Sequence, residues 1–258
     1  MRLLLNQIGL IAWRSVIRTA RQPAAVIPPL SFPLMLMAVN SNGLRAATHL
    51  PGFPTKSFLD FFLPFSFIQG ALFAATTAGT DLARDVDTGF LNRLALTPMR
   101  GAALLLGELG GAVALGALQA FVYLAVGLAF GVHFVTGIGG MATLLLLAIL
   151  IALGWAAVGV LLALRAGSGE KVQSQFPLLF FLVFISSMNL PRNLIEVGWF
   201  RDLATINPVS YLIEGLRTLI IEGWNAQALA LGFGVATLMV LGALGGASIA
   251  LNSRMERT

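Results

Sequence analysis

Residues 140–164, GMATLLLLAILIALGWAAVGVLLAL, decide the fold class. The run contains no charged side chain. It is long enough to cross the roughly 30 Å hydrocarbon core of a bilayer as a helix. Comparable apolar runs cover Ala24–Asn40, Phe58–Thr80, Gly101–Phe130, Phe176–Leu190 and Ala226–Leu251. Lipid cannot satisfy free backbone groups, so helices are the expected spanning element. The alternating pattern of a membrane β-barrel is absent. The pattern predicts an all-α polytopic membrane protein with six transmembrane helices.

Composition agrees. Of 258 residues, 57% are hydrophobic and 10% charged, whereas a soluble domain carries about 25% charged residues. Mean hydropathy is +0.87. There is no cysteine, hence neither a disulfide nor a thiolate metal site. The net charge of +5 does not read as nucleic-acid binding, because the basic residues are scattered at the ends of apolar runs. That placement suits lipid headgroups and topology. With the N-terminus inside, Arg45, Lys56, Arg192, Arg201 and Arg217 fall outside and the other eleven of the sixteen Lys and Arg fall inside. The bias places both termini in the cytoplasm.

Residues 1–22 do not read as a cleavable signal peptide, since Arg2, Arg14, Arg18 and Arg21 interrupt them. Leu4, Ile8, Ile11 and Val16 recur at helical spacing, which predicts a helix lying in the interface. Arg14 and Arg18 would then reach headgroups, and Pro23, Pro28 and Pro29 would break the chain. On the opposite side, residues 191–223 are too charged for lipid yet too apolar for a free loop. They predict short helices dipping into the outer leaflet between the fifth and sixth spans. One of these starts at Asn207-Pro208, with Asn as cap and Pro at the first helical position. Glu214 and Arg217 lie three apart on that helix and are expected to pair at an outer gate.

Residues 85–100, DVDTGFLNRLALTPMR, form a polar interruption on the inner side. Asp85, Asp87 and Thr88 suit the start of a short helix. Phe90, Leu91 and Leu94 give it an apolar edge, Arg93 and Arg100 add charge, and Pro98 ends it. Such an edge serves either a partner protein's groove or packing back onto the bundle.

Chemistry of its own is hard to find in this chain. Gly167-Ser168-Gly169-Glu170-Lys171 falls short of a phosphate loop, because the pattern needs G-x-x-x-x-G-K-[ST] and Glu170 intervenes before Lys171. His49 and His133 lie far apart, Ser186-Ser187 has no obvious base, and neither H-E-x-x-H nor G-x-S-x-G occurs. Gln69, Thr76, Thr77, Gln119, Tyr123 and Asn189 are neutral polar residues within apolar runs. They suit either a pathway lining or hydrogen bonds between helices. Glu108, at the start of the third run, is expected to pair with an arginine such as Arg100. The Gly107/Gly111, Gly127/Gly131 and Gly242/Gly246 pairs suit close helix packing.

Acidic residues and Gly followed by R-L-x-L-T-P-M-R and an apolar run with G-x-E, from about Arg84 to Glu108, resemble the cytoplasmic loop of ABC-2 type transporter permeases. N-P-V-S-Y-L-I-E-G-L-R at 207–217 is similar to that family's stretch before the last span. With the six spans and the basic N-terminal helix, the resemblance covers nearly the whole chain, as one ABC-2 type transmembrane domain over 1–258. Within the family the chain most resembles small drug-resistance and antibiotic-export permeases of the daunorubicin-resistance kind.

The resemblance implies a coupling helix within 84–100 that docks into a cytoplasmic ATPase, with Asp85, Asp87, Gly89, Phe90, Leu91, Arg93, Leu94, Thr97 and Pro98 as its coupling residues. It implies a connecting helix over 1–22, and outer re-entrant helices within 191–223 that carry Asn207, Pro208, Tyr211, Glu214 and Arg217. It further implies a second copy of the chain and two ATPase subunits, which supply ATP and magnesium, this chain holding no cofactor and no catalytic residue. Membrane lipid and a hydrophobic or amphipathic cargo (a drug, natural product or lipid) complete the expected partners, in the cell membrane of a prokaryote. A polysaccharide or glycolipid exporter is the alternative within the fold. An ATP-independent transporter is the alternative outside it, and it would call for charged residues at mid-membrane, which are scarce here.

Overall fold

The computed structural model describes residues 2–89 and 101–255. Every regular element among them is helical: α1 (Arg2–Ala20), α2 (Pro23–Gly43), α3 (Phe58–Asp87), α4 (Gly101–Ala129), α5 (Gly137–Ala166), α6 (Gly169–Ser174), α7 (Phe176–Phe184), α8 (Gly198–Ile206), α9 (Pro208–Ile221) and α10 (Ala226–Met255). Two short 3-10 turns lie at Arg45–His49 and Arg192–Leu194.

Four of these helices are long and apolar enough to cross a membrane: Phe58–Asp87, Leu106–Ala129, Gly137–Ala166 and Ala226–Leu251. They are not equivalent. The most apolar stretch of α3 is 83% buried inside the protein and that of α10 only 17%, so α3 is the hub and α10 the periphery. Against α3 pack α2, α4, α5 and α9. Burial against protein rather than lipid carries little transfer energy, so close packing and polar bonds must hold such a bundle.

The packing changes character along α3. Its first half contributes Phe58, Phe61, Phe62, Phe65 and Phe67 to a large aromatic core with Tyr123 and Trp155. Its second half contributes Ala74, Ala78, Leu82 and Ala83 to a core built mostly of small residues. There the backbones nearly touch. A Cβ added at Gly159 of α5 would overlap the Ala75 carbonyl, and one at Gly79 would lie 2.9 Å from the Gly159 carbonyl oxygen. The α1–α4 seam is equally tight: a Cβ at Gly107 would lie 2.5 Å from Ile11, and one at Gly111 would meet the Ser15 hydroxyl. Gly107 and Gly111 thus pack as a pair. Gly131 and Gly242 have open space around them, so only one member of each remaining pair packs, Gly127 on Leu63 and Gly246 on Leu161.

Prolines leave carbonyls to be satisfied. Pro33 in α2 has no N–H, which orphans the Pro29 carbonyl one turn earlier. The Tyr123 hydroxyl of α4 donates to it.

Three sequence expectations require correction. Pro28 and Pro29 do not break the chain, since α2 runs helical from Pro23 to Gly43 through both. The second span does not end at Thr80. α3 continues to Asp87, with Thr88 capping it and Gly89 at φ +67° turning the chain away. Asp85 and Asp87 therefore end a long helix instead of starting a short one. Acidic residues at a helix C-terminus oppose its dipole, and Arg14 and Arg18 of α1 compensate at Asp85. The fifth span is also broken. α7 stops at Phe184, and residues 185–190 run without regular structure inside the protein. Irregular backbone at such depth is tolerated only where protein groups satisfy it, and α9 supplies them.

Candidate functional site

Two polar constructions occupy opposite ends of α3, about 30 Å apart at the helical rise per residue. The first joins α1 to α3 and α4. Arg14 and Arg18 stand one turn apart on α1, and Asp81 and Asp85 one turn apart on α3. Arg14 Nη2 donates to both Asp85 oxygens at 2.9 and 2.8 Å. Arg18 reaches Asp81 at 3.1 Å, Asp85 at 3.2 Å and Glu108 of α4 at 3.2 Å. Arg14 also faces Glu108 at 3.5 Å. The three carboxylates are nearly closed off from solvent, with Glu108 only 2% exposed. Ser15 completes the seam: its hydroxyl donates to the Glu108 carbonyl and accepts from the Gly111 N–H.

Burial works against the Arg18 charge, but Asp81, Glu108 and Asp85 outweigh it and hold the guanidinium above its ordinary range. Removing one member of such a buried network typically costs about 3–5 kcal/mol, because it strands the others. Arg14 and Arg18 thus turn inward, not toward headgroups, and Glu108 pairs with both of them; its expected partner Arg100 lies outside the described residues. Ile11 is likewise buried, and Leu10 and Trp13 form the exposed apolar side of α1. Arg21 is exposed just beyond the helix end.

The second construction is organised by α9. Asn207 caps it, its side-chain oxygen accepting from the Val209 N–H at 2.9 Å, with Pro208 at the first helical position as the sequence predicts. The Asn207 amide also donates to the carbonyls of Leu182 and Ile185, where α7 ends. One side chain thus closes the start of α9 and the end of α7. Ser210 Oγ accepts from the Ser187 N–H at 3.1 Å. Arg217 Nη2 donates to the carbonyls of Ser187 and Met188 at 3.0 and 3.3 Å, and its Nε to the Phe61 carbonyl at 3.1 Å. Its guanidinium stacks on the Phe61 ring at 3.6 Å. The last carbonyls of α9 are satisfied from the α4–α5 turn, by the Val135 N–H and the Thr136 hydroxyl.

The expected Glu214–Arg217 pair does not form. Glu214 bonds Arg192 at 2.5 Å, while Arg217 is drawn into the protein by backbone carbonyls and is only 4% exposed. Tyr211 lies under the Arg192 guanidinium and donates to the Thr205 carbonyl.

Gln69, Gln119 and Tyr123 are fully enclosed between α3 and α4, and the two amide heads have no hydrogen-bond partner among the described residues. Thr76 and Thr77 bond back to carbonyls of their own helix. Asn189 lies half-buried in the irregular segment. Asp85 belongs to the charge cluster, Asp87 is exposed, and Gly89 forms the turn. Phe90, Leu91, Arg93, Leu94, Thr97 and Pro98 lie outside the described residues. Asp81 escaped sequence reading. Its signal was its i, i+4 spacing from Asp85, which matches that of Arg14 and Arg18.

Between α2, α3 and α7 an open apolar groove of about 670 Å³ is lined by Pro28, Phe32, Phe73, Phe176, Phe180 and Phe184.

A family model described as ABC-2 type transporter matches residues 6–221, which takes in both constructions. The chain belongs to the ABC-2 type transporter family. It is similar to the daunorubicin resistance ABC transporter permease protein DrrB1 of Streptomyces coeruleorubidus, 26% identical over 214 residues, which cover 81% of this chain and 72% of that one. As an ABC-2 protein it is the transmembrane subunit of an ABC transporter, integral to the membrane, and its family works with a cytoplasmic ABC ATPase. The charge cluster joins its N-terminal helix to the helix that leads into residues 90–100.

Proposed function

We propose that this chain is the permease of an ATP-driven exporter in a prokaryotic cell membrane, moving a hydrophobic or amphipathic compound outward. It works as a homodimer above two ATPase subunits, which bring ATP and magnesium. The charge-cluster end faces the cytoplasm, with both termini on that side. Six crossings are made by α2, α3, α4, α5, the broken α7 segment and α10, and α8 and α9 turn back within the outer leaflet.

The observation that carries this reading is the cluster itself, in a chain of this family. It ties α1, α3 and α4 into one corner at the end of α3, which leads into the proposed docking loop. A push on that loop by a closing ATPase dimer would therefore move three helices together. The lever arm is ionic, and so holds its geometry where apolar contacts in lipid would slide. The aromatic groove suits a planar, amphipathic cargo entering sideways, in keeping with the drug named for the Streptomyces relative. Half-buried Asn189 is a polar group such a cargo would meet on its way, and Glu214 and Arg192 shape the exit.

Phe90 and Leu94 are the proposed anchors of the docking loop, and truncating such an anchor typically costs about 2 kcal/mol or more. Phe90→Ala and Leu94→Asp are expected to lower recovery of the co-expressed ATPase in a pull-down at least tenfold. Wild-type recovery with both variants overturns the docking.

A further inference from the structure

At the cluster's opposite end, a cavity of about 500 Å³ lies between α9, the start of α10 and the turn before α3. Its size is that of a small-molecule site, and its lining is unusually polar for this protein. Arg192, Asn193, Glu214, Arg217, Glu222 and Asn225 all face it.

Its charges sort into one ion-paired couple and two groups that form no ion pair with a described residue. Arg192 and Glu214 are bonded to each other. Arg217 spends Nε and Nη2 on three backbone carbonyls. Its Nη1 makes no hydrogen bond to a described residue and is not sealed off, so two N–H groups of a 96% buried cation (4% exposed) are left to the cavity. No carboxylate among the described residues forms an ion pair with Arg217. Glu222 is the complementary case. The Thr218 hydroxyl is its hydrogen-bond donor at 3.4 Å, and that hydroxyl has a closer acceptor in the Gly223 carbonyl at 3.1 Å. Its carboxylate is exposed and nearly unclaimed.

We infer that this cavity binds a small zwitterion, its anionic oxo group on Arg217 Nη1 and its ammonium on Glu222. A simple anion would gain Arg217 but face Glu222, and a simple amine would meet the reverse. Only a ligand carrying both charges satisfies both free groups, and charge-assisted hydrogen bonds are the strong ones. The amides of Asn193 and Asn225 remain for neutral polar atoms of the ligand. The chemistry is shared by an ammonium–phosphate lipid headgroup and by a free zwitterionic solute. The inference does not depend on export or on the ATPase, and binding to the chain alone tests it.

The test uses the full chain in phosphatidylglycerol nanodiscs, titrated with O-phosphoethanolamine, inorganic phosphate and ethanolamine by calorimetry. O-phosphoethanolamine is expected to bind at least tenfold more tightly than either half. Glu222→Gln, at an exposed position that leaves folding intact, is expected to abolish the preference over phosphate. Arg217→Gln is expected to abolish binding of both. Adding phosphatidylethanolamine to the nanodiscs distinguishes the sources: competition assigns the site to a lipid headgroup, and undiminished binding assigns it to a free solute. Absence of binding by all three probes, or a preference that survives Glu222→Gln, overturns the inference.

Discussion

The two ends of α3 solve the same problem by different chemistry. At one end, five charged side chains from three helices are folded onto each other, and stability depends on every member staying in place. At the other, one amide, one hydroxyl and one guanidinium of α9 satisfy backbone groups of a chain segment that has left the helix. The first device makes a corner that moves as a unit. The second lets a helix break within the protein without stranding polar groups. A bundle in lipid can use either, because neither depends on water being expelled.

Arg18→Ala tests the contrast between the two ends most directly. It leaves Asp81 and Glu108 without their shared guanidinium, and the expected loss is about 3–5 kcal/mol, read as a lowered thermal midpoint of the purified chain. A change within 1 kcal/mol would mean that the cluster is solvated and holds nothing.

Asn207 gives the next effect and separates its two duties. Asn207→Ala removes the α9 cap, worth about 1 kcal/mol, and leaves the Leu182 and Ile185 carbonyls unpaired, at about 1–3 kcal/mol more. Asn207→Asp keeps the cap oxygen but loses the amide donor. Hydrogen exchange should therefore quicken around residues 182–188 in both variants, and at the start of α9 in the alanine variant alone. Equal exchange in both regions for the two variants would deny the double role.

The smallest effect belongs to the Arg192–Glu214 pair, about a quarter exposed on each side. Glu214→Ala should cost no more than about 1 kcal/mol, by the same thermal measurement. A loss as large as that of Arg18→Ala would make the cavity end as charge-dependent as the cluster end.

Much was legible in advance. Apolar runs located the long helices, and Asn207-Pro208 marked a helix start, because a cap and an N1 proline act within a few residues of chain. The broken α7 was not legible. Residues 176–190 are apolar enough to span, and what ends the helix at Phe184 is satisfaction of the freed carbonyls by side chains more than twenty residues later. The inward turn of Arg14 and Arg18 was hidden in the same way. A basic helix with an apolar side reads as interfacial whichever way its arginines point, and the choice was made by Asp81, Asp85 and Glu108 at sequence distances of 63 to 94 residues.

That this is a helical membrane protein of the ABC-2 kind, where its apolar runs lie and where α9 begins can be read from the chain alone. Hydropathy, caps and prolines are local quantities, readable without neighbours. Which charges meet, that Glu214 takes Arg192 and leaves Arg217 to the backbone, and that a helix stops inside the bundle were set by the packing of distant segments. Each of those depends on whether a buried polar group finds a partner, and the partner is supplied by whatever distant segment the packing brings within 3 Å or so.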